Sequence, residues 1–174
     1  MICRLSFRLL LTLCCLVILA WTLPAGAQGV ATPQATFEKA VAALKQAEQQ
    51  VADNPEAALS SAKESRLLFK TLQKDLAAKL AGNQLTDAQL EQEDLNARVA
   101  DDLYKKGELF HKAAKEKLAR SQELSNQGDS SAAQNLEGVA QIEGRLALQH
   151  YVRSEIFSLK NQQMVLESIL KKTK

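Results

Sequence analysis

The sequence predicts an all-α protein: an antiparallel helical bundle in which two long C-terminal helices form a coiled-coil-like hairpin. After Pro33, apolar residues recur with the helical period and never alternate with period two, so we expect no strands. The chain from Thr86 to Leu170 consists of two long helical runs separated by a short Asn-Gln-Gly-Asp segment at 126–129. A short connection between two long helices implies that they lie antiparallel and side by side.

Residues 1–27 are typical of a secretory signal peptide. Arg4 and Arg8 precede an apolar run, and an Ala-Gly-Ala cleavage site stands immediately before Gln28. The apolar run has about fifteen residues, whereas a membrane span needs about 20, so we expect cleavage rather than an uncleaved anchor. The mature protein is therefore expected to be exported, and to be periplasmic or secreted.

Composition excludes several functional classes for the mature chain. All three cysteines lie in the leader, so disulfides, thiol nucleophiles and cysteine metal ligands are excluded. Loss of Arg4 and Arg8 reduces the 22 basic residues to 20, which equals the number of acidic residues. Binding to nucleic acids or to anionic membranes requires a basic surplus, so we expect neither as a partner.

After a short linker at 28–32, residues 33–171 are predicted to form a single helical-bundle domain. Asn54 and Pro55 mark a helix stop followed by a capped restart. Two arrangements stay open: helices 1 and 2 form a hairpin, or they form one helix kinked at Pro55. Helix 2 is expected to end at a left-handed Gly82. The apolar positions are Phe37, Val41, Leu44, Ala47 and Val51 in helix 1, and Ala58, Ala62, Ser65, Phe69, Leu72, Leu76 and Leu80 in helix 2.

The first helix of the long hairpin has the clearest start signal in the chain. Thr86 and Gln89 form a capping box, and Leu85 precedes it. Gly107 inside this helix costs about 1 kcal/mol relative to alanine, and Gly128 ends the helix in the left-handed conformation. The predicted buried stripe is Leu95, Val99, Leu103, Phe110, Ala114 and Leu118.

The second helix of the hairpin starts at a cap formed by Asp129 or Ser130. Its sequence carries one face of large apolar residues and one face of small residues. Small residues let two helix backbones approach closely, so this helix is predicted to pack tightly on its hairpin partner. The large residues are Leu136, Ile142, Leu146, Val152, Ile156, Leu159, Leu166 and Leu170, and the small residues are Ala133, Ala140, Gly144 and Ala147.

Counting equal distances from the turns predicts a register for the bundle. Phe69 is expected near Val99, and Tyr104 near Tyr151. Beyond about Ala113, helices 1 and 2 are too short to lie beside the hairpin, so its end is expected to project as a two-helix stalk. One aromatic layer is predicted to contain Phe37, Phe69 and Phe157.

Candidate residues for catalysis or metal binding are few. Glu108 and His111 have the Glu-x-x-His spacing of di-metal sites in helical bundles, which need two such motifs and two further glutamates. The other histidine, His150, has Ala147 in the glutamate position. We therefore predict no catalytic, cofactor-binding or metal-binding residues, and no enzymatic activity.

Two segments resemble proteins of the bacterial cell envelope. Leu-Thr-Asp-Ala-Gln at 85–89 resembles the Leu-Thr-x-x-Gln motif of the Spy-type periplasmic chaperones, which implies shielding of unfolded clients. The run Ala-Lys-Glu-Lys-Leu-Ala-Arg at 114–120, with Gly-Asp at 128–129 and Ala-Ala at 132–133, is similar to alanine-rich helical-hairpin domains of envelope proteins. This second resemblance implies a helical fold and an envelope location, without a defined activity.

The sequence therefore leads to two functional hypotheses. The first is a non-enzymatic, exported helical scaffold or adaptor that binds other cell-envelope proteins. The alternative is a periplasmic holdase-type chaperone. Both require a protein partner, and a homodimer is left open.

Overall fold

A computed structural model of the protein describes residues 32–172, which form five α-helices and contain no strand. The predicted all-α hairpin fold is therefore confirmed. The predicted signal peptide at 1–27 and all but the last residue of the linker at 28–32 lie outside the described residues. The helices are α1 (Pro33–Gln50), α2 (Pro55–Asp75), α3 (Ala77–Ala81), α4 (Asp87–Asn126) and α5 (Ser130–Lys171).

The helix starts follow the capping signals in the sequence. Asn54 Oδ1 accepts the backbone N–H of Ala57 at 3.0 Å, which begins α2. Thr86 and Gln89 form both bonds of the predicted capping box at the start of α4. Asp129, rather than Ser130, caps α5. Each cap satisfies a backbone donor that has no partner inside its own helix.

The two predicted glycine stops have different outcomes. Gly128 has φ +86° and ends α4 as predicted, since glycine adopts the left-handed region without steric cost. Gly82 has φ −100°, so the prediction of a left-handed end there is wrong. The reason is that α2 already stops at Asp75, where the backbone of Leu76 leaves helical geometry and the short α3 follows.

Helices α1 and α2 form a hairpin, which excludes the alternative of one helix kinked at Pro55. The rings of Phe37 and Phe69 lie 6.1 Å apart between the two helices, as the register predicts. Both helices pack on α5, so the predicted proximity of Phe69 to Val99 in α4 is wrong. Counting equal distances from the turn gave the wrong partner for Phe69, because α1 and α2 both pack on α5 rather than on α4. The buried core contains Phe37, Ala40, Leu44, Ala47, Val51, Ala58, Ala62, Phe69, Leu72, Leu76, Val152, Ile156, Leu159, Leu166 and Ile169.

Phe157 does not belong to the predicted aromatic layer. Its side chain is only half-buried and lies outside the core, with Lys160 Nζ 4.9 Å from the ring centre. The core-facing row of α5 passes through Val152, Ile156 and Leu159 instead. One position along a helix is a rotation of about 100°, which places Phe157 beside the core row rather than in it.

The α1–α2 hairpin ends beside Arg145 and Gln149 of α5. Arg145 Nη2 donates to the carbonyl oxygen of Asp53 at 2.5 Å, and Gln149 Nε2 donates to that of Ala52 at 2.7 Å. Among the described residues, no hydrogen bond, ion pair or core contact joins residues 109–144 to α1 or α2. We call residues 109–144 the distal hairpin, and it consists of two helices alone.

Candidate functional site

The seam between α4 and α5 is lined by small residues that repeat every seven positions. This corrects the predicted stripe of α4: Leu95 and Leu118 are exposed, whereas Val99, Leu103 and Phe110 are half-buried. The physical reason is that closely spaced helix axes leave no room for large side chains between them, so the large residues lie along the sides of the seam. The buried positions are Ala100, Gly107, Ala114 and Ser121 in α4, and Ala133, Ala140, Ala147 and Ser154 in α5.

Polar side chains fix the alignment of the two helices along this seam. Ser121 Oγ donates to the carbonyl oxygen of Ala133 at 2.8 Å, near the turn. Ser154 Oγ donates to the carbonyl oxygen of Ala100 at 2.7 Å, farther along. The two hydrogen bonds are separated by the same number of residues in α4 and in α5. The two helices therefore keep one register over the stretch between the bonds.

An asparagine pair continues this register toward the start of α4. Asn96 Nδ2 donates to Asn161 Oδ1 at 2.8 Å, and Asn161 Nδ2 donates to the carbonyl oxygen of Glu93 at 3.0 Å. Asn96 is buried and also accepts a hydrogen bond from Gln92. A buried polar pair is tolerated when its groups are hydrogen-bonded to each other, and here it requires one alignment of the helices.

Gly107 is a point of close approach in the seam, because the Tyr151 ring lies directly on its backbone. A Cβ atom at this position would lie 2.8 Å from two ring atoms of Tyr151. The ring is held by Tyr104, whose ring centre is 5.4 Å away as the register predicts, and by Glu108, which accepts the Tyr151 hydroxyl at 2.5 Å. Burial and the Glu108 carboxylate raise the pKa of Tyr151 to about 12, so its hydroxyl remains a donor at neutral pH.

A second set of contacts crosses the seam on its other side. Phe110 and His150 stack with their rings 7° from parallel and 5.4 Å apart. Farther from the body, Lys117 forms an ion pair with Glu143 at 2.7 Å.

Exposed apolar side chains extend from this stack along the distal hairpin. Val139, Ile142, Leu146 and His150 are spaced by three and four residues, so they form one row on α5. Ile142 is 63% exposed and Val139 is 42% exposed. Leu109 of α4 is 69% exposed, but it lies two positions, or about 200°, after the seam residue Gly107 and therefore points away from α5. We call Phe110, Val139, Ile142 and Leu146 the apolar flank.

Sequence reasoning missed one member of the apolar flank. Val139 is not among the large apolar residues predicted for the second hairpin helix. The sequence did contain a signal for this surface. The two long helices carry more large apolar residues than a seam of small residues can bury. Such an excess in a two-helix segment predicts exposed apolar surface.

His150 sits at the end of the apolar flank nearest the body of the bundle. Its Nδ1 atom is buried and has no hydrogen-bond partner in the described part of the chain. Burial, together with the positive charges of Arg153 and Lys106, lowers the pKa of His150 below 6.5. The imidazole is therefore neutral at neutral pH, which suits its stacking on Phe110.

A groove lies elsewhere, between α2, α4 and α5, and has a volume of about 380 Å³. Most of its polar groups already have partners within the protein. Arg66 pairs with Glu155, Tyr151 donates to Glu108, and Ser154 donates to a backbone carbonyl. These side chains leave little hydrogen-bonding capacity for a ligand. The lining residues are Leu59, Lys63, Arg66, Tyr104, Tyr151, Ser154 and Glu155.

The Glu-x-x-His pair noted in the sequence does not form a cluster with other ligand-type residues. Glu108 binds the Tyr151 hydroxyl, and His111 is exposed. Between residues 32 and 172, no group of three or more His, Cys, Asp or Glu side chains is placed to hold a metal ion. In the same range, no helix combines the length and hydrophobicity needed to cross a bilayer.

Comparison with known proteins found no relative of this chain. No protein-family model, curated protein or solved structure matches the chain.

Proposed function

We propose that the protein is a non-enzymatic, exported adaptor that binds another cell-envelope protein through the apolar flank of its distal hairpin. The observation that carries this proposal is the exposure of Val139 and Ile142, which lie in one row on a two-helix segment that no other described helix covers. Contiguous apolar side chains on a protein surface are typical of interaction sites. Export rests on the leader sequence and its Ala-Gly-Ala site.

The energetics suit reversible binding. Complete burial of an isoleucine side chain contributes about 1.5–3 kcal/mol, and roughly two thirds of this remains available at Ile142. Val139 and the half-buried Phe110 and Leu146 add smaller amounts. After the cost of lost translational freedom, a flank of this size gives a modest affinity, as expected for a regulated or multivalent contact.

A photo-crosslinking residue placed at Ile142 tests the proposal in cells. We expect crosslinks to one or two defined envelope proteins, and we expect them to disappear when Val139→Glu is added. The matched control places the same residue at Leu67, which is 66% exposed on α2 and lies outside the flank. Equal crosslinking from both sites, or crosslinks that survive Val139→Glu, would contradict the proposal.

A holdase chaperone is the alternative outcome of the same experiment. The Leu-Thr-x-x-Gln segment forms the helix cap of α4, which gives the motif a structural role independent of any client. A holdase would crosslink many unrelated unfolded proteins from Ile142. In addition, the purified protein would suppress aggregation of unrelated denatured test proteins, and Ile142→Glu would abolish this activity.

A further inference from the structure

We propose that the groove between α2, α4 and α5 binds a small aromatic carboxylate. Its carboxylate pairs with Lys63, and its ring packs on Leu59 and Tyr104. None of the residues that line this groove belongs to the apolar flank, so the site is separate from the one proposed for protein binding. A ligand in this groove therefore goes beyond the proposed function and does not depend on it.

The floor of the groove is ordered by bonds within the protein. Ser154 donates to a backbone carbonyl of α4, and Tyr151 donates to the carboxylate of Glu108, which does not itself line the groove. Glu155 of α5 forms an ion pair with Arg66 of α2. Because these bonds position the lining side chains in advance, a ligand loses less affinity to ordering them. The volume of about 380 Å³ is at the lower end of the range for ligand sites, which suits a small molecule.

Lys63 gives the groove an unpaired positive charge. The residues three and four positions from it on α2 are two leucines, a serine and an arginine, so its own helix offers it no carboxylate. In the described part of the chain, it forms no ion pair or hydrogen bond with another side chain. The lining cations Lys63 and Arg66 face the single lining carboxylate of Glu155, so one positive charge remains. An anionic group on the ligand complements this charge.

The apolar surface of the groove favours an aromatic body for the ligand. The Tyr104 side chain lines the groove and is 52% exposed, and its ring is tilted on that of Tyr151 at 5.4 Å. A further ring beside Tyr104 extends the tilted arrangement that aromatic pairs prefer. Leu59 precedes Lys63 by four residues, so its apolar surface lies about 6 Å from the lysine along α2. An acid of the size of phenylacetate can therefore contact both side chains at once.

Fluorine NMR with para-fluorophenylacetate and para-fluorophenethylamine tests the inference on the mature protein. The two probes share an aromatic ring and carry opposite charges. The signal of the acid should shift and broaden as protein is added. Its Kd should be at least about fivefold lower than that of the amine, because the amine replaces attraction to Lys63 with repulsion. Equal affinities of the two probes, or no detectable binding of the acid, would overturn the inference.

Variants of the protein assign the binding to this groove. Lys63→Gln should weaken binding of the acid about threefold without weakening that of the amine, whereas Lys70→Gln should change neither. Lys70 is the matched control, because it is an exposed lysine about two turns further along α2 that does not line the groove. Tyr104→Ala should weaken both probes, since it removes the ring contact. Equal effects of Lys63→Gln and Lys70→Gln would indicate nonspecific attraction and overturn the inference. A loss of acid binding in Ile142→Glu would also overturn it, because the probe would then occupy the apolar flank.

Discussion

Helix propensity and the packing of the hairpin predict opposite effects on stability when Gly107 is replaced by alanine. Helix propensity alone predicts that alanine stabilises α4 by about 1 kcal/mol. The structure predicts the reverse, since the new Cβ would lie 2.8 Å from two ring carbons of Tyr151, Cδ1 and Cε1, and 3.2 Å from a third, Cγ. The ring cannot easily move away, because it is hydrogen-bonded to Glu108 and packed on Tyr104.

The expected magnitude follows from these two contributions. Overpacking in a closely packed interface costs about 1–3 kcal/mol, and the propensity gain offsets about 1 kcal/mol of it. Gly107→Ala should therefore lower the free energy of unfolding by about 1 kcal/mol. In a Tyr151→Ala background the clash is absent, so the same substitution should raise the free energy of unfolding by about 1 kcal/mol. The coupling between the two sites is then about 2 kcal/mol, within the range seen for residues in contact.

Urea denaturation followed by circular dichroism measures all four proteins of this cycle. Gly138→Ala is the matched control, because Gly138 lies inside α5 and no atom lies within 4 Å of the position that an alanine methyl group would take there. This control should stabilise the protein by about 1 kcal/mol. If Gly107→Ala stabilised the protein as much as Gly138→Ala, the close contact between Gly107 and Tyr151 would be disproved.

Four further predictions concern the core, the turn, pH and processing. Phe69→Ala should lower the unfolding free energy by about 3–5 kcal/mol, whereas His111→Ala at the surface should change it by less than about 0.5 kcal/mol; chemical denaturation of both variants compares them, and similar losses would contradict the core assignment. Gly128→Ala should destabilise the protein by about 1 kcal/mol in the same assay, because alanine is strained at φ +86°. As pH falls below 6.5, the unfolded state binds a proton at His150 before the folded state does, so the free energy of unfolding should fall. Thermal melts at several pH values should show a smaller fall for His150→Gln. Intact-mass measurement of the exported protein should show a chain that starts at Gln28, and a species that retains the leader would refute cleavage there.

Local signals in the sequence predicted the helix starts and the end of α4, but not the end of α2 at Asp75. Asn54, Thr86 and Asp129 each satisfy backbone donors within three residues of themselves. Gly128 likewise ends its helix through its own backbone conformation. These features depend on neighbouring residues alone, so a single sequence contains the information that determines them.

Packing partners could not be predicted in the same way. Periodicity identifies which residues share a side of a helix, but it does not reveal which helix covers that side. The placement of α2 on α5 rather than on α4 is the clearest case, and it explains the wrong pairing of Phe69 with Val99. The apolar flank was not predicted for a related reason, since Val139 and Ile142 are aliphatic residues of the kind that a core usually buries, yet no helix covers them here.

The seven-residue repeat of the seam has a consequence for how the hairpin reaches its native alignment. Sliding α4 by one repeat would again place alanine, glycine or serine opposite alanine or serine, so most of the seam tolerates misaligned pairing. Two features oppose such a slip: the Asn96–Asn161 pair would be separated, and Ala100 or Ala114 would lie beneath the Tyr151 ring in place of Gly107. A methyl group in that position clashes, and the misaligned state is penalised. A single glycine thereby helps the folding chain to discriminate between alignments that its repeated small residues leave nearly equivalent.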